Sequence, residues 1–268
     1  MKRALLNKLI NKDKYIIDQG DYFLLDCSKN DVFNIEVKEG LSVNIYLKDI
    51  KENANIQIDV ASNSILNIKT ILKDEIKSLK LTADLSENSQ IQAYCADFSC
   101  GNNDVFVEIN LNKRGSSAEW HLASLSAKED NKTFDVSLIH NGTETRGLSD
   151  NYGVSKDDAR LVFSGVSLIK KGAKGSKTRQ NAKIMVFDEV SKAIAKPVLK
   201  IDENEIEASH GATVGKISDD TMFYLTSRGL SEEQAKELIT LGYLRPILNG
   251  FEDDELKNEI SSLIEGRM

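Results

Sequence analysis

One acidic segment combines residue types that could bind a metal. Glu203, Glu205 and Glu207 occur at every second position, and His210 follows three residues after the last of them. Alternate residues of an extended strand point to one face, so we expect the three carboxylates on one side of a strand, with the imidazole near its end. Carboxylate and imidazole ligands suit iron, zinc or manganese. The plainer alternative is a solvated acidic edge with a hydrogen-bonded histidine, and composition alone favours it.

The surroundings of this segment add two further signals. Gly211 and Gly215 flank small residues, which predicts a tight backbone and the close approach of another group. Six basic residues precede the acidic segment: Lys170, Lys171, Lys174, Lys177, Arg179 and Lys183. No aromatic residues are interleaved with them, and the chain has a net charge of −7, so we expect a solvated face rather than a nucleic-acid site.

The remaining histidines and the cysteines are weaker candidates. We expect a structural role for His121, and for His140 a place at a turn or rim. Cys95 and Cys100 lack C-x-x-C spacing, and the three cysteines of the chain are odd in number, so we expect free thiols in a reducing, cytoplasmic compartment. The sequence contains no Walker A, GxGxxG, HExxH or GxSxG string, which indicates neither a nucleotide site nor a hydrolytic nucleophile.

Strand patterns fill the chain between about residues 32 and 206. Apolar residues alternate with polar ones in successive short runs, separated by Gly-, Asn- and Ser-containing turn signals. Such regular strands without helices predict a sandwich, a barrel or a solenoid. The repeats continue past the length of one sandwich, so we favour a β-helix in which each coil packs on its neighbour. The two prolines, Pro197 and Pro246, leave most of this region free to pair its backbone.

The two ends of the chain have helical patterns. Leucines at the start have helical spacing and predict a short helical or irregular lead-in. Ser218 is a predicted N-cap, Ser231 and Gln234 form a predicted capping box, and Pro246 is expected to end or kink the second helix. These patterns divide the chain into an N-terminal lead-in (1–31), a β-helix core (32–217) and a C-terminal helical cap (218–268). No apolar run is long enough to span a membrane, and no signal-peptide pattern is expected at the start.

The second half of the chain resembles the SufB/SufD family of iron–sulfur cluster assembly proteins. The resemblance covers roughly residues 140–245 and rests on F-x-G at Phe163, K-G-A at 171–173, K-P-V-L-K-I, S-H-G-A-T-V-G and F-Y-L-T-S-R-G, in the family's order. The S-H-G-A-T-V-G string is closer to SufD than to SufB. The resemblance implies a mainly β fold, a right-handed parallel β-helix (β-solenoid) with a C-terminal α-helical cap.

The resemblance also implies a function. Such a chain is a cytoplasmic scaffold subunit of the SUF complex rather than an enzyme, without nucleic-acid or membrane partners. It pairs with a SufB-like β-helix and binds a SufC-like ABC ATPase through its C-terminal helices. An iron–sulfur cluster is held transiently at the dimer interface, or none is bound stably.

Particular residues match the family's functional positions. His210 matches a histidine implied to bind the cluster, and Glu205 and Glu207 could assist iron entry. The residues implied to contact partners are Phe223, Tyr224, Arg228, Gly229 and Leu244.

Two alternatives remain open. The chain could be a SufB-like scaffold that pairs with itself and binds SufC alone. Ala208 stands where many relatives have cysteine, which removes a thiolate ligand; in this alternative Cys95 or Cys100 substitutes for it. The second alternative is a β-helix carbohydrate lyase or esterase, a class that is normally secreted and needs an acidic cluster in mid-helix.

Overall fold

The structure is a computed structural model. It describes residues 14–28, 31–50 and 52–268, together with the backbone of two short strands nearer the start. Eighteen strands occur in the described residues: β1 (Ala4–Leu5), β2 (Ile10–Asn11), β3 (Lys14–Ile17), β4 (Tyr22–Asp26), β5 (Val32–Val37), β6 (Ser42–Lys48), β7 (Asn53–Val60), β8 (Ile65–Leu72), β9 (Ser78–Leu85), β10 (Gln90–Asp97), β11 (Asn102–Leu111), β12 (Ser117–Ser126), β13 (Asn131–His140), β14 (Arg146–Ser155), β15 (Arg160–Ile169), β16 (Lys177–Val186), β17 (Lys192–Ile201) and β18 (Glu207–Lys216).

The strands form a two-sheet parallel β-solenoid, which confirms the predicted fold class. Sheet A contains β1 and the even-numbered strands from β4 to β18, and sheet B contains β2 and the odd-numbered strands from β3 to β17. Each coil therefore gives one strand to each sheet. Neighbouring strands are parallel, apart from the antiparallel pair of β2 and β3. Tyr22 pairs with Asn44 and Arg146 with Lys177, so the coil lengthens from 22 to 31 residues along the chain.

The alternating sequence pattern builds the solenoid because parallel pairing in register stacks like residues. Inward-facing Val43, Leu66, Ile91 and Ala118 follow one another across four strands of sheet A, and all four are buried. Burial of such columns drives the stacking, since an isolated coil has no neighbour to cover it. The turns fall at the predicted signals, where positive φ angles occur at Gly40 (73°), Asn63 (59°), Asn88 (53°), Gly101 (91°) and Gly115 (69°). Glycine and asparagine tolerate this left-handed conformation.

The N-terminal lead-in differs from its prediction. Residues 14–17 form β3, which pairs with β5, and residues 22–26 form β4, which pairs with β6. Leu5 lies in β1, which pairs with β4. The helical or irregular interpretation is therefore wrong for Leu5 and for residues 14–17, because pairing with later strands decides their conformation. Leu6 and Leu9 lie outside the described residues. The division of the chain at residues 32 and 218 stays a prediction.

The C-terminal cap follows its predicted signals. It contains α1 (Asp219–Ser227), α2 (Glu232–Leu244), a 3-10 helix (Arg245–Gly250) and α3 (Asp254–Glu265). Ser218 caps α1, and the capping box of Ser231 and Gln234 opens α2. The second helix ends one residue before Arg245, and Pro246 lies in the first turn of the 3-10 helix, where a missing N–H breaks no helical hydrogen bond.

The cap folds back onto the outer face of sheet A. It covers the C-terminal halves of the sheet strands, where a second apolar cluster forms, separate from the solenoid lumen. This cluster includes Phe98, Leu125, Val154, Leu244, Ile247, Phe251, Ile260 and Ile264. The N-terminal halves of the same strands keep polar, partly exposed outer faces. The cap thus divides this face of the molecule into a covered half and an open half.

Candidate functional site

The last coil leaves one end of the solenoid open. In the described residues, β17 pairs with β15 and β18 pairs with β16, and each has no strand on its other side. Residues of β16 are alternately buried, whereas nearly all of β18 is exposed. Val198, Ile201 and Val214 are large apolar residues exposed on these two strands. An exposed pair of ten-residue edges with apolar side chains is typical of a surface that receives another chain.

Hydrogen bonding at the strand ends identifies which backbone groups face the open edge. The Lys192 N–H donates to the carbonyl of Ala159, just before β15, and the Asp202 N–H to the carbonyl of Ile169, the last residue of β15. The even-numbered residues of β17 therefore face β15. Odd-numbered residues face the edge, because the bonding direction alternates along a parallel strand. Pro197 is odd-numbered, so its missing N–H falls on the unpaired side, where proline is tolerated. In β18 the N–H of Glu207 donates to the Ser176 carbonyl, so the odd-numbered residues face β16. The even-numbered residues of β18 therefore face the open edge.

His210 lies on the lumen side of this open end. Its register partner is Gln180, whose side chain is buried in the lumen, and in-register parallel residues share a face. Gln180 Nε2 donates to Ser167 Oγ over 2.6 Å and to the Val198 carbonyl over 3.2 Å, while its Oε1 is buried with no partner among the described residues. The imidazole is exposed because no further coil covers it. His210 therefore stacks on the buried polar side chain of Gln180 and is itself exposed to solvent.

The acidic residues do not share a strand face as predicted. Glu203 and Glu205 lie in the turn between β17 and β18, and only Glu207 begins the strand. Glu207 is odd-numbered and faces outward, whereas His210 faces the lumen, so the two side chains lie on opposite faces of β18. The prediction that the three carboxylates share one strand face is wrong, because the chain turns between the last two strands and breaks the alternation.

Each of these carboxylates has a partner on the preceding coil. The Gly172 N–H donates to Glu203 Oε2 over 3.0 Å, and this bond lowers the pKa of Glu203. Glu205 forms a 2.9 Å ion pair with Lys174, and Glu207 a 2.7 Å ion pair with Lys177. Part of the predicted basic run thus serves as counter-charge for the acidic segment. Among the residues that the structure describes, no group of three or more His, Cys, Asp or Glu could hold a metal ion.

The small residues around His210 face open space. Ala208 is the register partner of Thr178, so it shares the lumen side with His210. A Cβ added to Gly215 would meet no atom within 4 Å, and one added to Gly211 would meet only Asn181 Oδ1, at 3.6 Å. The close approach that the glycines predict is therefore not made by any described part of this chain.

The partner-contacting residues predicted in the cap separate into two groups. Phe223 is 74% exposed and Tyr224 is 56% exposed on α1, and the Arg228 guanidinium lies 5.1 Å from the centre of the Tyr224 ring. Gly229 ends α1 with a φ of +96°, a conformation that favours glycine. Leu244 is fully buried between α2 and sheet A, so it cannot present a contact surface.

The prediction missed Leu238. This leucine is 53% exposed on α2, although its spacing from Ala235, Ile239 and Leu241 in the sequence predicts that all four form one apolar stripe. The helix spacing identified an apolar face but not the part of that face which sheet A leaves uncovered.

The other two histidines have local partners, and the three cysteines form no disulfide. The His121 ring stacks on Tyr94 with centroids 4.7 Å apart, consistent with a structural role. His140 is not at a rim: it is fully buried, its Nδ1 lies 2.7 Å from Thr145 Oγ1, and burial lowers its pKa to about 4. All three cysteines are free; Cys95 is buried, which raises its thiol pKa, and Cys100 is exposed. No helix in the described parts of the chain is long and apolar enough to cross a membrane.

Residues 28–243 match the family described as SUF system FeS cluster assembly, SufBD core domain. The chain belongs to this family. The match reaches well beyond the residues 140–245 that carried the sequence resemblance and includes most of the solenoid. The family is one of assembly proteins, which does not support the carbohydrate-active alternative.

Similar proteins include two that are named SufD. The chain is 30% identical to the iron–sulfur cluster assembly protein SufD of Bacillus subtilis over 159 residues, which are 59% of this chain and 36% of that protein. It is 24% identical to SufD of Escherichia coli over 218 residues, 80% of this chain and 52% of that protein. An iron–sulfur cluster assembly SufBD family protein of Mycobacterium bovis is 24% identical over an alignment that covers 94% of this chain and 32% of that protein. The chain thus spans a third to a half of the length of these relatives and is SufD-like within the SufBD family.

Proposed function

We propose that the chain is a SufD-like scaffold subunit of a cytoplasmic SUF complex. Its solenoid pairs with a SufB-like β-helix at the open end, and its cap binds a SufC-like ABC ATPase. The chain itself catalyses no reaction, and the iron–sulfur cluster is its cargo. The observation that carries the proposal is the unpaired last coil with His210 on its lumen side.

Backbone pairing is the first part of this proposal. Every second N–H group of β17 and β18 faces the open edge, and a strand added there would satisfy these donors and cover Val198 and Val214. The open space beside Gly211 and Gly215 admits a close backbone. Pro197 offers no donor at the centre of β17, so we expect that the pairing extends more continuously along β18.

Cargo binding is the second part. A neutral imidazole at His210 can bind iron, but Ala208 beside it on the lumen side supplies no thiolate. The remaining ligands must then come from the partner, so the cluster is shared and the isolated chain holds none stably. A role of Glu205 and Glu207 in iron entry stays a prediction; in it they would exchange their lysine partners for the ion.

ATPase binding through the cap is the third part. Phe223 and Tyr224 together form an aromatic surface on α1 that the rest of the chain leaves exposed, and Leu238 presents a further apolar side chain on α2. Aromatic residues with adjoining arginine are enriched at protein interfaces, and Arg228 adjoins this surface. Closure of two ATPases would pull on the two caps and transmit force to the shared interface of the solenoids.

The cargo role is tested by a His210→Ala variant in the complete complex with its SufB-like and SufC-like partners. Ser209→Ala is the matched control, because it removes a side-chain oxygen from the opposite face of the same strand. We expect normal complex formation by both variants and loss of cluster assembly only by His210→Ala. Full assembly by the His210→Ala complex would contradict the ligand role.

The pairing edge is tested by an Ala212→Pro variant. This change removes one N–H group that faces the open edge and spares the backbone hydrogen bonds between β18 and β16. We expect weakened co-purification with the SufB-like subunit and retained co-purification with the ATPase. Unchanged pairing by a folded Ala212→Pro protein would contradict the assigned edge.

The ATPase surface is tested by replacing Phe223 and Tyr224 with alanine. Phe106→Ala is the control, because this phenylalanine is exposed on the opposite sheet. We expect that the double variant no longer co-purifies with the ATPase and that the control still does. Equal retention of the ATPase by both variants would refute the cap assignment.

The alternative of a self-paired scaffold is tested separately. Anaerobic reconstitution of the purified chain with iron and sulfide, followed by absorbance, distinguishes it from the heteromeric scaffold. A stable cluster on a homodimer would favour the SufB-like alternative.

A further inference from the structure

The outer face of sheet A carries a groove that the proposed scaffold role does not use. It crosses the N-terminal ends of β10, β12, β14, β16 and β18, on the half of the sheet that the cap leaves open. Its volume is about 600 Å³. We call it the basic groove after Arg146, Lys177 and Arg179; its other polar lining residues include Gln90, Ser117, Glu119 and Glu207.

Three cations lie together in the basic groove. Arg146 and Lys177 are register partners on adjacent strands, and Arg179 lies two residues further along the same strand as Lys177. Like charges directly opposite each other across two strands are unfavourable unless an anion compensates them. Among the described residues, Glu207 is the one carboxylate that forms an ion pair with these cations, and it lies 2.7 Å from Lys177 Nζ. Within the described residues, Arg146 and Arg179 form neither a hydrogen bond nor an ion pair.

The neighbouring acids on this face already have partners. Glu119 Oε2 accepts a hydrogen bond from Gln92 Nε2 over 3.2 Å and lies 3.4 Å from His121 Nε2. Asp150 Oδ1 accepts from Asn181 Nδ2 over 2.6 Å. The two guanidiniums therefore keep their donor groups available for an external acceptor, on a chain whose net charge is −7. A local positive surface on an acidic protein selects for anionic partners.

The shape of the groove indicates the size of the anion. It crosses five adjacent strands, and at about 4.8 Å per step this distance is about 19 Å, the length of about six extended residues. A single phosphate or carboxylate would occupy only one part of it. Guanidinium groups bind carboxylates through two parallel hydrogen bonds, and Ser117 and Gln90 add neutral donors along the same line. We propose that the basic groove binds an extended, glutamate- or aspartate-rich segment of a partner protein.

This surface is separate from the edge proposed for subunit pairing. The groove lies on the outward face of sheet A, whereas pairing would use the open backbone edge and the lumen side of β18. The groove reaches β18 only at its first residues, Glu207 to Ser209, and the groove proposal does not depend on the identity of the pairing subunit.

The test measures binding of fluorescein-labelled hexaglutamate to the full chain by fluorescence anisotropy, at low and at physiological salt. The groove variant is Arg146→Gln with Arg179→Gln. The control variant, Arg160→Gln with Lys80→Gln, removes the same charge from sheet B on the opposite side of the solenoid. We expect at least about tenfold weaker binding for the groove variant and less than about twofold for the control.

Two results would overturn the proposal. Equal weakening by the two variants would mean that hexaglutamate responds to overall charge. Full competition by inorganic phosphate at the same concentration as unlabelled hexaglutamate would mean that the groove is a small-anion site. Matching thermal unfolding midpoints of the two variants would show that any difference in binding arises in the groove.

Discussion

A charge pair inside the solenoid wall allows a quantitative prediction. Lys132 Nζ lies 2.9 Å from Asp97 Oδ2, and both side chains are completely buried. Lys132 also donates to the carbonyls of Ser99 and Leu125, over 2.8 Å and 2.9 Å. Replacing Lys132 with methionine keeps most of the length of the side chain but leaves the Asp97 carboxylate buried without its counter-charge.

We expect this change to be strongly destabilising. Removing one partner of a buried ion pair costs about 3–5 kcal/mol, because the remaining charge cannot be solvated. For a protein of this size 1 kcal/mol lowers the unfolding midpoint by about 2–4 °C, so the Lys132→Met midpoint should fall by roughly 10 °C. Adding Asp97→Asn should recover a large part of this loss. An amide at the Oδ2 position can donate to the Ser124 hydroxyl that now donates to the carboxylate.

The assays are thermal unfolding and urea unfolding, each followed by circular dichroism, with Lys77→Met as the control. Lys77 forms a 2.7 Å ion pair with Glu52, but the two side chains are 70% and 73% exposed, so water screens the pair. We expect no measurable change for the control. The reasoning is refuted if Lys132→Met unfolds at the control's urea concentration, or if Asp97→Asn makes the Lys132 variant less stable still.

Three further predictions concern the lumen and the cap. Burial lowers the pKa of His140 to about 4 from its ordinary 6.5, so the unfolded chain binds more protons between these values and stability falls as pH decreases from 6.5 towards 4. At pH 5 the loss relative to pH 7.5 should be about 2 kcal/mol larger than in a His140→Gln variant, measured by urea unfolding at both pH values. Leu244→Ala should lower the free energy of unfolding by about 2–5 kcal/mol through the cavity it leaves under α2; a change as small as that of a surface substitution would contradict its burial. Gly250→Ala should loosen the cap, because its Cβ would overlap the Tyr94 ring, and limited proteolysis should then cleave the cap faster than in the wild-type chain.

Local sequence patterns were sufficient wherever the cause is local. Alternating side chains predict strands because the period of two is a property of one strand, and Ser218 and Ser231 predict helix starts because an N-cap bonds within its own turn. The positive φ angles at Asn63 and Asn88 fall at predicted turns for the same reason. His210 could be singled out by its residue type and by the family resemblance.

The candidate site was less predictable because its geometry depends on the preceding coil. Glu205 and Glu207 appear in sequence to share a strand face with each other, but the position of the turn places one before β18 and one at its start. Their lysine partners lie about 30 residues earlier, and that register is set by the pairing of whole strands.

The sequence by itself therefore determined that this chain is a β-solenoid with a helical cap, where its turns and caps occur, and to which family it belongs. Only the tertiary structure decided that His210 faces the open lumen, that Leu244 is hidden beneath the cap, and that Arg146 stands beside Lys177 on an uncovered sheet face. The physical reason is the range of the interactions. Periodicity and capping act within a few residues, whereas facing, burial and charge clustering arise from strand register and from the packing of the cap across the sheet.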